Sequence, residues 1–123
     1  MIAVTEIAFT GYPVTDLAKA RHFYETILGL RIGMVFEQEG KGWIEYEIGP
    51  STLAISNIAP DWKPSPAGPT AGLEVDDFDA AIAWLKENQV NFLMEPMPTP
   101  VCRMACIADP DGNSITIHKR NAA

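Results

Sequence analysis

The stretch VTDLAKARHF, residues 14–23, returns in altered form as VDDFDAAIAW, residues 75–84, at an offset of 61 residues. Val14 meets Val75, Asp16 meets Asp77, Leu17 meets Phe78, Ala20 meets Ala81 and Phe23 meets Trp84. Both copies place Asp directly after a β-like run, where a helix takes a capping carboxylate for its first free amides. From Asp16, the residues Leu17, Ala20, Tyr24, Ile27 and Leu28 form an apolar stripe at helical spacing, and Gly29 closes it. From Asp76 or Asp77, Phe78, Ala81, Ile82 and Leu85 do the same.

A second match lies downstream. STLAISN, residues 51–57, aligns with NSITIHK, residues 113–119, at an offset of 62 residues. Two matches whose offsets differ by one residue indicate an internal duplication, and each half then reads strand, helix, three strands. The predicted strands are 3–10, 30–37, 42–48 and 52–57, then 69–75, 91–95, 101–108 and 113–119. Turn residues separate them: Glu39 to Gly42, Gly49-Pro50-Ser51, and Asp109 to Asn113. APDWKPSPAGP, residues 59–69, is a Pro-rich linker between the halves, and EPMPTP, residues 95–100, is expected to be an exposed loop. One helix covers one face of each small sheet. The expected architecture is therefore α+β: a single domain of two βαβββ modules, 1–58 and 70–123, forming a curved, mostly antiparallel cup with the helices outside.

Composition excludes several classes. A net charge of −7 with scattered basic residues leaves no stripe to neutralise a nucleic-acid backbone. No apolar run spans a bilayer and the N-terminus lacks the basic flank of a secretory signal, so a cytoplasmic protein is expected. Cys102 and Cys106 stand about 13 Å apart in a strand at ~3.3 Å per residue. They are expected to be reduced thiols without the His partners of a zinc site.

The segments VTDLAKARHFYETILGL (14–30), LEVDDFDAAIAWL (73–85) and ADPDGNSITI (108–117), with the duplicated order, resemble the vicinal oxygen chelate superfamily of glyoxalase, bleomycin-resistance and extradiol dioxygenase proteins. The resemblance implies the cup, and a homodimer. Metal-dependent members take His, Glu or Gln ligands from positions that here correspond to Phe9, Ala54, Thr70 and Thr116. None of these is a carboxylate or imidazole, so no metal and no cofactor is expected.

Period-2 alternation sorts the strand faces. Ile44, Tyr46 and Ile48 go with the helix, leaving Trp43, Glu45 and Glu47 for the cup or solvent. Likewise Thr70 and Glu74 separate from Ala71, Leu73 and Val75, and Ser114, Thr116 and His118 from Ile115 and Ile117. The candidate ligand-binding residues are Phe9, Trp43, Glu45, Glu47, Thr70, Glu74, Arg103, Thr116 and His118. The leading expectation is a metal-independent binder of a small molecule, with a cationic aromatic compound held by Trp43 and the acids as the candidate ligand. The alternative is a lyase, isomerase or dioxygenase acting on a small oxygenated metabolite. In it His118 serves as base and Arg103 as carboxylate anchor, or an unexpected metal sits at Glu45, Glu74 or His118.

Overall fold

In the computed structural model, which describes residues 1–122, the duplication is visible as two sheets of one topology. The first holds β1 (Thr10–Pro13), β2 (Arg31–Gln38), β3 (Lys41–Ile48) and β4 (Ser51–Ser56) in the order β1-β4-β3-β2. The second holds β5 (Ala71–Glu74), β6 (Phe92–Pro98), β7 (Cys102–Ala108) and β8 (Ser114–Arg120) in the order β5-β8-β7-β6. In each, the first strand runs parallel to the last and the other pairs are antiparallel. The register repeats the sequence offsets. Gly11 pairs with Ala54 and Gly72 with Thr116; Tyr12 pairs with Ile55 and Leu73 with Ile117. The chain divides into two compact units, Met1–Pro64 and the part from Ser65 onward, with the division inside the Pro-rich linker.

Helix α1 (Leu17–Arg21) begins where Asp16 Oδ1 accepts from the Lys19 amide at 3.0 Å. Helix α2 (Phe78–Glu87) begins where Asp77 Oδ1 accepts from the Ala80 amide at 3.0 Å. These are the caps the paired Asp residues announce. The first helix then widens into a π-helical turn, His22–Ile27, in which the Leu28 amide reaches back to the Phe23 carbonyl at 2.9 Å. Both Phe23 and Tyr24 are buried there, and Gly29 ends the segment at φ +69°.

Behind that helix, Tyr24 stacks on Tyr46 with centroids 5.9 Å apart, and Tyr12 lies 6.4 Å from Tyr24. The Tyr46 hydroxyl donates to Glu25 at 2.8 Å, and Glu25 also accepts from Arg21 Nε at 2.7 Å. Burial first, then the Glu25 carboxylate, raises the Tyr46 phenol far above its ordinary pKa, so it remains a donor throughout the neutral range. In the second unit Phe78 and Leu85 of α2 are buried, as are Ala105, Ile107, Ile115 and Ile117 of β7 and β8.

The turn Asp109 to Asn113 closes β7 onto β8. The buried Asp109 carboxylate accepts from the amides of Asp111 and Asn113, both at 2.9 Å, and from Asn113 Nδ2 at 2.8 Å. Asn113 Oδ1 accepts from the Ser65 amide at 3.2 Å, and Gly112 takes φ +89°.

Two expected elements shift. The first strand, predicted at 3–10, begins only at Thr10, and residues 1–9 are exposed. In the parallel register Thr10 meets Leu53, and β4 starts at Ser51 after Gly49 and Pro50. A strand extended back past Ala8 would therefore have no partner in β4. Conversely, β6 continues through the Pro-rich stretch to Pro98. It is an edge strand with irregular register, the setting in which a sheet tolerates Pro.

Candidate functional site

The first unit carries an aromatic surface on the face of its sheet turned away from α1. Ile44 and Tyr46 are fully buried on the helix side, so Trp43, Glu45 and Glu47 alternate onto the other. Phe9 meets the Trp43 ring edge to face, with centroids 5.2 Å apart and planes at 88°. Between them the floor is made of small residues, Gly11 beside Ala54. A Cβ on Gly11 would come within 3.0 Å of Trp62 Cη2 and 3.2 Å of Phe9 Cε2. The absence of a side chain at position 11 thus lets two aromatic rings approach the sheet. Phe36 on β2 pairs with Trp43 and adds a fourth ring to this face. Phe9 and Trp62 remain 46% and 39% exposed, so this aromatic area is open to contact.

The acids of this face have partners. The Trp43 indole Nε1 donates to Glu45 at 2.9 Å, and Arg31 donates to Glu47. The two pairings differ electrostatically. The guanidinium neutralises Glu47, whereas the indole is uncharged and leaves the charge of Glu45 uncompensated. Among the described residues no ion pair includes Glu45.

In the second unit, the face away from α2 is polar. Thr70 Oγ1 and Thr116 Oγ1 lie 3.0 Å apart, Ser114 Oγ donates to Thr70 at 3.2 Å, and Cys106 Sγ is 3.4 Å from Thr116 Oγ1. Two register steps beyond Thr116, and so on the same face, Glu74 pairs with His118. Its carboxylate contacts His118 Nδ1 at 2.5 Å and accepts from the Arg120 amide at 2.8 Å. The Arg120 amide, then His118, hold the Glu74 carboxyl below its ordinary pKa.

Phe9, Trp43, Glu45 and Glu47 therefore share one surface, while Thr70, Glu74, Thr116 and His118 share another. Arg103 joins neither. Expected as a carboxylate anchor beside His118, it lies over the Phe78 ring at 4.5 Å and bonds Asp79, both on α2. Alternation explains this: Arg103 shares a face with Ala105 and Ile107, which are fully buried on the helix side. Sequence reasoning missed Trp62 and Phe36. A Trp within a Pro-rich linker was the signal for the first; the β2–β3 register, hidden from sequence, was needed for the second.

Phe9, Ala54, Thr70 and Thr116 stand where the family resemblance implies the divalent-metal ligands of metal-dependent members. Two are apolar, and the two hydroxyls bond each other. Neutral hydroxyls without a carboxylate or imidazole do not make a divalent site, so these residues do not fit the ion. Among the described residues no group of three His, Cys, Asp or Glu could hold a metal ion.

The family model described as Glyoxalase/Bleomycin resistance protein/Dioxygenase superfamily matches residues 6–117. Among solved structures the chain is similar to TnmS3, an antibiotic binding protein from Streptomyces sp. CB03234. It shares 27% identity with TnmS3 at a TM-score of 0.81, covering 98% of this chain and 100% of that one. A glyoxalase/bleomycin resistance protein from the same organism shares 29% identity at a TM-score of 0.74, covering 91% and 98%. Lactoylglutathione lyase from Agrobacterium tumefaciens shares the fold at 18% identity and a TM-score of 0.74, covering 95% of each chain. Comparison of the sequence with curated proteins finds no match.

Proposed function

The chain belongs to the Glyoxalase/Bleomycin resistance protein/Dioxygenase superfamily, and on that footing we propose that it binds a planar, cationic aromatic small molecule without a divalent metal. The observation that carries this reading is the surface of Phe9, Trp43 and Trp62 over the Gly11 floor, with Glu45 fixed beside Trp43. Exposed aromatic rings gathered around a small-residue floor favour a flat ligand by stacking. A carboxylate held by a neutral donor favours a positive substituent on it, and the indole face adds a cation–π contribution of about 0.5–2 kcal/mol. The net charge of −7 acts in the same direction at long range. The likeness to an antibiotic binding protein supports the same class of role.

Titration with a panel of cationic polycyclic aromatics tests this. Saturable quenching of tryptophan fluorescence is expected, with neutral analogues binding more weakly. A flat response across the panel rejects the reading. Elemental analysis of chelator-free protein tests the metal-independent part, which stoichiometric Zn, Ni, Fe or Mn would overturn.

We also propose a homodimer in the cytoplasm, where Cys102 and Cys106 stay reduced. No helix among the described residues is long and apolar enough to cross a membrane. Edge strand β2 exposes Ile32 and Phe36, and the segment before β1 exposes Ile2, Val4 and Ile7. Apolar side chains along an open edge favour cover by a second copy. Light scattering at micromolar concentration should give twice the chain mass of 13.5 kDa; a monomer contradicts it.

One observation favours an enzymatic second reading. Glu74 holds His118 by Nδ1, an arrangement that orients an imidazole as general base through Nε2. Substrate turnover lost in H118A and reduced in E74Q is its test.

A further inference from the structure

The second unit gathers sulfur on one sheet face, and two irregularities in β6 put it there. Phe92 lies under Lys86 of α2, 5.1 Å from ring centroid to Nζ, so Phe92 points toward the helix. In a regular strand Met94 would follow it. The register shifts between them, however, and pairs Met94 with Cys106. Glu95, the next residue, bonds Lys86 at 2.7 Å and so occupies the helix side, which places Met94 on the opposite face. A second shift then pairs Met97 with Met104, keeping both β6 methionines on one face. Bulges of this kind redirect side chains and recur beside functional sites.

The resulting face holds Met94 opposite Cys106, Met97 opposite Met104, and Met104 opposite His118. Directly opposed residues have Cβ atoms about 4.5–5.5 Å apart, and thioethers on three rotatable bonds can turn toward a common point. The imidazole is already prepared for a metal: Glu74 occupies Nδ1, and Nε2 is the nitrogen left for a ligand. A carboxylate on the far nitrogen is the usual support of a metal-bound histidine.

We propose that this face binds a soft monovalent d10 cation, Cu(I) or its analogue Ag(I), through Met104, Cys106 and His118 Nε2, with the thioethers of Met94 and Met97 flanking them on β6. Thioether and thiolate donors select such ions, whereas a set with one thiol, one imidazole and no carboxylate toward the ion is a poor one for zinc. The site uses none of Phe9, Ala54, Thr70 or Thr116 as ligands, although it borders Thr116 through Cys106, and it does not depend on the aromatic-ligand reading.

The test is titration of the reduced protein, without oxygen, against Cu(I) held by a colorimetric chelator such as bicinchoninate. The protein should withdraw one Cu(I) per chain, compete equally for Ag(I), and ignore Zn(II). E74Q should weaken Cu(I) binding by roughly 10–100-fold, and M94L/M104L by at least as much, with unchanged circular dichroism. C102S should bind normally, because Cys102 is buried and bonded to Thr99. X-ray absorption of the wild-type complex should show both sulfur and imidazole nitrogen, a readout that needs no variant to fold. Failure to withdraw copper overturns the proposal. So does copper binding that survives M94L/M104L and disappears only in C106S, since that is ordinary thiol chemistry.

Discussion

The Trp43 indole donates to the Glu45 carboxylate two residues along the same strand, at 2.9 Å. This contact fixes an aromatic face and a negative charge side by side, and its ring partner Phe9 arrives from a different part of the chain. E45Q retains a hydrogen-bond acceptor for the indole and removes the charge. A cationic ligand should then bind more weakly by up to about 1 kcal/mol, the range for a solvent-accessible ion pair, while its neutral analogue binds unchanged. Calorimetric titration of both ligands reads the difference, and equal losses for the two would assign Glu45 a merely structural role.

Gly11 tests the floor of that surface. In G11A the new methyl stands where Trp62 and Phe9 now approach to 3.0 and 3.2 Å. The rings should be displaced by a few tenths of an ångström or more, with a changed tryptophan emission maximum and weakened ligand binding. Emission and affinity both identical to wild type would show that these rings do not form the floor's cover.

The turn before β8 is predicted to be the second unit's most sensitive polar site. Replacing the buried Asp109 by Ala leaves the Asp111 and Asn113 amides and the Asn113 side chain without their acceptor. A cost of about 3 kcal/mol or more is expected from buried donors left unmatched. Urea denaturation of D109A measures it, and a loss under 1 kcal/mol contradicts this account of the turn.

The Arg103–Asp79 pair predicts a pH dependence. The Arg103 side-chain hydrogen bond, then its charge, lowers the Asp79 pKa in the folded protein. A depressed carboxyl stabilises the fold above its unfolded pKa of about 3.9. That contribution disappears as pH falls through the lower folded value. D79N should therefore flatten part of the acid limb of stability measured by urea melts between about pH 2 and 6. The effect should shrink in high salt, because Asp79 is exposed.

Much of the fold was legible because it rests on local chemistry. Asp16 and Asp77 cap helices wherever they precede an apolar stripe, and Asp109-Pro-Asp-Gly-Asn makes its turn from its own side chains. The paired offsets, 61 and 62, even anticipated the register, with Gly11–Ala54 repeated as Gly72–Thr116. What failed depended on partners elsewhere in the chain. Ile2, Val4 and Ile7 look like a strand, but in the parallel register they fall before the first residue of β4. Alternation sent Trp43, Glu45 and Glu47 to the correct face, yet said nothing of Arg31 closing on Glu47. The repeat was also uneven in content: Phe23 is buried and its counterpart Trp84 is 46% exposed. The two β6 methionines were opaque because bulges decide their faces, and Arg103 because the alternation within VCRMACIA is weak in the sequence and only the burial of Ala105 and Ile107 fixes it.

The most direct measurement of the central claim is a paired fluorescence and calorimetric titration of wild-type protein and W43A with one cationic planar aromatic that binds the wild type. The account predicts saturable one-to-one binding, with W43A weakened by the 2 kcal/mol or more typical of an aromatic anchor, roughly thirtyfold. Wild-type affinity in a folded W43A protein would contradict it.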